Sequence, residues 1–138
     1  MPVKHAVGAG LLFVGLLAAT SARAQSLEVL GYSGMLGEWE LTANVVRSGE
    51  ADSYSGALLM RHVGICSQDG PEEKSGSIRL QLSQTLRSSS PPPRLSATLL
   101  VDGVACAFSG KLMDSYDGTL NCPDRAPVPL QIWLKSTE

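Results

Sequence analysis

One histidine and one cysteine, four positions apart in the stretch YSGALLMRHVGIC (residues 54–66), are the first candidates for chemistry in this chain. His62 is the only histidine after residue 24, and Cys66 is one of three cysteines. A protein zinc site uses four ligands, or three and a water, at recognisable spacings. These two residues supply only two ligands, and the sequence has no C-x-x-C pair. We therefore predict no metal site and no cofactor.

Nucleophilic catalysis would also have to use His62, because a Ser-His-Asp or Cys-His arrangement needs a histidine as its base. The chain has no G-x-S-x-G motif. Glu38 and Glu40 form a carboxylate pair, but their spacing places them on the outward face of a strand, where acidic side chains are usually solvated. We predict no catalytic residue and a protein that is not an enzyme; an envelope hydrolase using His62 is the second alternative.

Residues 1–24 have the parts of a secretory signal peptide. A short basic region is followed by an apolar run that ends near Ala19 and by an A-x-A cleavage site over Ala22–Ala24. The run is shorter than the roughly 20 residues that a membrane-spanning helix needs. We predict cleavage before Gln25, a periplasmic or secreted protein, and no membrane span.

The charge of the predicted mature chain argues against a nucleic-acid partner. Lys4 and Arg23 precede the cleavage site, so nine of the eleven Lys and Arg remain against thirteen Asp and Glu, a net charge of −4. No basic stripe is left to neutralise phosphates. The predicted partners are an unknown protein or a small hydrophobic ligand, and the oligomeric state is left open.

The sequence after residue 36 alternates between apolar and polar side chains with a period of two, which is typical of half-buried strands. Turn-rich segments separate these stretches, and no helical stripe appears. The predicted inward residues are Trp39, Leu41, Ala43, Val45, Ile78, Leu80, Leu82, Leu130, Ile132 and Leu134. We predict an all-β fold, a small antiparallel up-and-down barrel or sandwich of about seven or eight strands, over residues 37–138.

Residues 25–36 are predicted to be an N-terminal arm that precedes this domain. Trp133 alternates with inward Ile132 and Leu134, so it is predicted to face outward. An outward tryptophan is a possible partner contact; alternatively, the apolar N-terminal segment covers it.

The clearest hairpin is RLSATLLVDGVACAFSGKLM, in which Asp102-Gly103 is a dipeptide favoured in two-residue turns. This turn places Val101 opposite Val104 and Leu99 opposite Cys106, all on the inward face. Register from the turn and register from the apolar pattern agree.

The three cysteines allow one internal disulfide and leave one thiol over. If Leu112 faces Leu120, Cys122 lies four residues from Cys106 along the strand, about 13 Å at strand rise, which is too far for a bridge. YSGALLMRHVGIC also resembles FSGKLMDSYDGTLNC (108–122). Either a duplicated hairpin places the two cysteines at equivalent positions, or the match arises by chance, because aromatic residues, Ser and Gly are ordinary at strand edges. We therefore predict a Cys66–Cys122 bridge and a buried Cys106 thiol.

The stretch GEWEL resembles the G-x-W motif of lipocalins and other calycin barrels. The preceding SLEVLGYSGML resembles the arm of small bacterial barrels that inhibit secreted metalloproteases. The resemblance implies that Gly37 and Trp39 close the barrel. It also implies a protease-contacting arm made of Ser26, Leu27, Glu28, Val29 and Leu30.

The sequence as a whole predicts an exported, non-enzymatic binding or interaction module of the cell envelope. The inward set is apolar, so any ligand inside a barrel of this size is expected to be small and hydrophobic. A secreted-protease inhibitor acting through its N-terminal arm is the first alternative.

Overall fold

A computed structural model describes residues 25–49, 52–66, 68–83 and 92–137 of the 138-residue chain. The predicted signal peptide, residues 1–24, lies outside the described residues. The described residues form eight strands and no helix. The strands are β1 (Ser26–Ser33), β2 (Trp39–Arg47), β3 (Ser53–His62), β4 (Glu73–Ser83), β5 (Arg94–Val101), β6 (Val104–Leu112), β7 (Tyr116–Asn121) and β8 (Val128–Thr137).

The eight strands form a closed antiparallel barrel in which each strand pairs with its neighbours in sequence and β1 pairs with β8. The all-β prediction is confirmed, and a barrel rather than a sandwich is the architecture. Closure gives every strand a neighbour on both sides, although β7 pairs only with residues 107–112 of β6 and residues 128–132 of β8. Within the described ranges, no helix is long and apolar enough to cross a membrane.

Alternate residues of each strand point into the barrel and form one apolar core. The inward set predicted for β2, β4 and β8 is confirmed, with Leu41, Val45, Leu80 and Ile132 completely buried. Phe108 of β6 and Tyr54 of β3 are also buried and contribute the two aromatic side chains of this buried cluster. The core follows directly from the period of two, since successive residues of a strand point to opposite faces.

The predicted hairpin at Asp102-Gly103 is also confirmed. Val101 pairs with Val104 and Leu99 with Cys106. Asp102 and Gly103 have φ values of 51° and 76°, as a two-residue turn with positive φ at both central positions requires.

The predicted N-terminal arm is wrong, because Ser26–Ser33 form strand β1 of the barrel. Ser26 lies opposite Val46 of β2 on one side and Thr137 of β8 on the other. The domain therefore begins at the first strand and not at residue 37. Without β1, the facing edges of β2 and β8 would be left unpaired.

The predicted disulfide is also wrong. The bridge joins Cys106 and Cys122, whose Cα atoms lie 4.3 Å apart, and Cys66 is a free, exposed thiol in the loop after β3. The reason is the register of β6 and β7. Leu112 pairs with Tyr116 and not with Leu120, so the register brings Cys122 opposite Cys106.

A candidate binding site at the open end of the barrel

One end of the barrel, which we call the open end, is where β1, β3, β5 and β7 finish and the other four strands begin. Four connections meet there: residues 34–38, 63–72, 102–103 and 122–127. A cavity of about 310 Å³ opens between them. This volume lies at the lower limit of the range for small-molecule sites.

The walls of this cavity are largely apolar, and they are formed by inward residues near the strand ends. Its floor lies against Leu99 and Leu120, which belong to the buried core. The other apolar side chains in the wall are Trp39, Met60, Val101, Val104, Ala126 and Val128. The cavity is therefore a continuation of the core that the chain's own side chains do not fill.

The Cys106–Cys122 disulfide is part of the cavity wall. It joins Cys106 of β6 to the residue that directly follows β7, the shortest strand of the barrel, with six residues. The bridge therefore fixes the wall where the strand pairing ends, at Ala107 opposite Asn121.

Trp39 contacts two side chains that carry nitrogen at the entrance. The imidazole of His62, its partner across the β2–β3 ladder, stacks on the indole with ring centroids 4.5 Å apart and 13° between planes. The Lys74 ammonium lies 5.4 Å from the Trp39 ring centroid, within the range of a cation–π interaction. Trp39 is therefore held between strands at the cavity entrance.

Four charged residues surround the apolar interior: Glu38, Lys74, Asp102 and Arg125. The Lys74 ammonium lies 3.8 Å from a carboxylate oxygen of Glu72 and 3.9 Å from one of Asp102. These ion pairs are partly solvated, and exposed pairs of this kind stabilise a protein little. Their effect at this site is to place charge at the rim and leave the interior apolar.

The structure does not bring His62 and Cys66 together as a site. His62 is the last residue of β3, and its imidazole packs on Trp39, whereas Cys66 lies in the following loop. Across the described ranges, no group of three or more His, Cys, Asp or Glu side chains is arranged to hold a metal ion.

Trp133 faces outward as predicted, with 38% of its surface exposed. Its ring meets Tyr32 of β1 edge to face, with centroids 5.8 Å apart, and Leu30 lies opposite it in the ladder. The N-terminal segment thus packs beside Trp133. The other predicted partner contacts, Ser26–Leu30, are hydrogen bonded into the barrel through both of their edges.

Sequence reasoning missed Lys74, Met60 and Val128 as cavity residues. A signal for Lys74 was present, because it shares the parity of inward Ile78 and Leu80 along β4. Met60 and Val128 could not be predicted in this way. Whether they line a cavity depends on the space left between the ends of eight strands, and the apolar pattern of one strand does not report that space.

Comparison of the chain with models of protein families, with curated proteins and with solved structures finds no match.

Proposed function

We propose that this protein is an exported, non-enzymatic binding module of the cell envelope that takes a small hydrophobic ligand in the open end of its barrel. The observation that supports this proposal is the cavity of about 310 Å³ whose floor is the apolar core. An eight-stranded barrel has room for one small ligand, and burying apolar ligand surface supplies about 25 cal/mol per Å².

The envelope location rests on the signal-peptide pattern of residues 1–24. The disulfide is compatible with the oxidising compartment that this pattern implies. A native mass spectrum of the protein purified from its own envelope tests both parts of the proposal. We expect the mass of a polypeptide that begins at Gln25, together with a bound small molecule that dissociates on collisional activation.

The two tryptophans allow a direct binding assay. Trp39 lines the cavity and Trp133 lies on the outer wall, and the chain has no third tryptophan. In a Trp133→Phe variant, titration with decan-1-ol is expected to change Trp39 emission with saturation. In the matched Trp39→Phe variant, Trp133 emission should stay constant.

A substitution that fills the cavity gives the control for the location of binding. Val104 lines the entrance and is itself exposed, so Val104→Phe should weaken decan-1-ol binding without unfolding the barrel. Val46 is a comparably exposed valine that points outward from β2, and Val46→Phe should bind like the unsubstituted protein. Binding that is equal in both variants, or absent from the unsubstituted protein, contradicts the proposed function.

The geometry of the described residues favours neither of the two alternative functions. An inhibitory arm would need Ser26–Leu30 to be available to a protease, and these residues form a barrel strand. A hydrolase would need partners for His62, and among the described residues its imidazole has only the stacking contact with Trp39.

A further inference from the structure

Two adjacent loops at the open end expose large apolar side chains to solvent. Residues 34–38 connect β1 to β2, and residues 63–72 connect β3 to β4. Met35 and Leu36 are 84% and 88% exposed on the first loop. Val63 and Ile65 are 46% and 60% exposed on the second. We call these four residues the apolar tip.

The backbone holds the apolar tip in place. The amide of Val63 donates a hydrogen bond of 2.8 Å to the Glu38 carbonyl, and the Gly64 amide donates one of 3.3 Å to the same oxygen. The first loop is also closed on itself, since the Gly37 amide donates to the Gly34 carbonyl. The two loops are therefore joined to each other, which places the four exposed side chains on adjacent loops at the same end of the barrel.

The apolar tip borders the entrance of the cavity. Gly34 and Glu38, which flank Met35 and Leu36 in the first loop, both line the cavity wall. Met35 and Leu36 themselves are not among the residues that line the cavity, and they are exposed to solvent. An apolar phase in contact with the tip would therefore lie directly beside the entrance.

The size of the tip favours a lipid surface over a protein partner. A stable protein interface uses about 20–30 residues from each side, and the tip has four on two loops. Insertion into a lipid interface makes no such demand, because binding grows with each apolar side chain that is buried. Single exposed apolar residues are ordinary on protein surfaces, but four on two joined loops are a concentrated patch.

The charges around the tip decide which lipid surface fits. Glu38 lies in the first loop, and Asp69 and Glu72 lie in the second. The cavity rim beside the tip adds the carboxylate of Asp102 and two cations, Arg125 and Lys74, and the Lys74 ammonium lies 3.8 Å from Glu72. This excess of carboxylates opposes an anionic bilayer and is compatible with a zwitterionic one.

We propose that Met35, Leu36, Val63 and Ile65 form a contact surface for zwitterionic lipid, placing the cavity entrance against the lipid. The contact is an attachment to the surface and not a span, and it does not depend on whether the cavity holds a ligand.

Co-sedimentation with phosphatidylcholine vesicles tests this proposal. The protein is expected to partition onto the vesicles, and the Met35→Ser/Leu36→Ser variant to lose at least about tenfold in its partition coefficient. Ile65→Ser should show a loss in the same direction. Replacing part of the phosphatidylcholine by phosphatidylglycerol should weaken binding, because the carboxylates then face a surface of net negative charge.

The matched control is Met113→Ser. Met113 is 72% exposed and lies between β6 and β7, at the opposite end of the barrel, so its substitution should leave partitioning unchanged. Near-ultraviolet circular dichroism verifies that each variant is folded. Three results would overturn the proposal: no partitioning of the unsubstituted protein, an equal loss in the Met113 variant, or self-association that the Met35→Ser/Leu36→Ser variant abolishes. The last would assign the surface to a second copy of the chain.

Discussion

Gly118 of β7 shows how a single hydrogen atom decides the spacing of two strands. A Cβ atom at this position would overlap the backbone carbonyl oxygen of Ser109 and lie 2.7 Å from the Cα of Gly110. Neither contact can be relieved by rotating a side chain. Only glycine therefore permits β6 and β7 to approach this closely.

Gly118→Ala is accordingly expected to destabilise the protein by about 3 kcal/mol, the upper part of the usual range for overpacking. Gly64→Ala is the matched control, because a Cβ there meets a flexible Glu38 side chain at 3.4 Å. Urea unfolding of both variants measures the difference. Equal unfolding midpoints for the two variants would show that the packing of β6 against β7 does not require glycine at position 118.

Tyr116 is the residue at which stability should depend on alkaline pH. Burial against the core raises the pKa of its phenol above the ordinary value of 10.0. The fold therefore favours the neutral phenol. Its contribution to stability is complete below the unfolded-state pKa, and it is lost as pH rises through the raised folded-state pKa.

Tyr116→Phe removes the titrating group and keeps the ring. Between neutral pH and the range above pH 10, the melting temperature of the unsubstituted protein should fall more steeply than that of the variant. Thermal unfolding followed by circular dichroism at a series of pH values checks this expectation. Parallel curves would mean that Tyr116 does not carry the effect.

At the scale of elements, the contrast between two hairpins shows what the sequence can specify. Asp102-Gly103 predicts the β5–β6 register because this dipeptide favours a two-residue turn with positive φ at both positions, and such a turn fixes which residues face each other across the hairpin. The β6–β7 connection is different, since turn-favouring residues extend over 114–118. The turn occupies 113–115 alone, and Asp117 and Gly118 belong to β7.

The resulting register error of four residues could not be detected from the apolar pattern. A shift by an even number leaves every side chain on the face where it was. Leu120 and Cys122 point inward in either register. The two registers therefore agree on which residues face inward. They differ in the residue that lies opposite Cys122, and that residue determines its disulfide partner.

The Cys106–Cys122 bridge between β6 and β7 is expected to stabilise the protein by a measurable free energy. A bridge across a loop of this length, with a sequence separation of 16, contributes about 3 kcal/mol by restricting the unfolded chain. The Cys106→Ala/Cys122→Ala variant should lose stability of that order. Cys66→Ala, which removes the exposed free thiol, should lose almost none.

Peptide mapping of the unreduced protein is the direct test of connectivity. It should recover one linked pair containing Cys106 and Cys122, with Cys66 open to alkylation. A linked peptide containing Cys66 would contradict the register of β6 and β7.

At the scale of the whole molecule, β1 was the element that sequence reasoning did not recognise as a strand. Its inward positions begin with Leu27 and Val29 but continue with the small residues Gly31 and Ser33. Its outward positions include Leu30 and Tyr32, which pack beside Trp133. Apolar residues therefore lie on both faces of β1, and the usual alternation disappears.

The role of β1 in closing the barrel predicts opposite outcomes for neighbouring positions. Val29→Ser places a hydroxyl in the fully buried core and should cost about 3 kcal/mol. Glu28→Ser changes an exposed side chain on the same strand and should fall within about 0.5 kcal/mol of the unsubstituted protein. Denaturant unfolding compares them. Similar stabilities for both variants would place residues 26–30 outside the barrel.

The pairing of Ser26 with Thr137 closes the eight strands into a ring. The structure of the barrel therefore does not require the chain to begin at β1. A short flexible link between these neighbouring residues, with a new opening at Asp102-Gly103, should therefore give a circular permutant with the same eight-stranded barrel. Circular dichroism and the Trp39 titration would report whether it refolds with its cavity. In the permutant, β5 and β6 would be the paired strands farthest apart in sequence, and β1 and β8 would be neighbours in sequence. The permutant should therefore form the β1–β8 pairing early in folding and the β5–β6 pairing late.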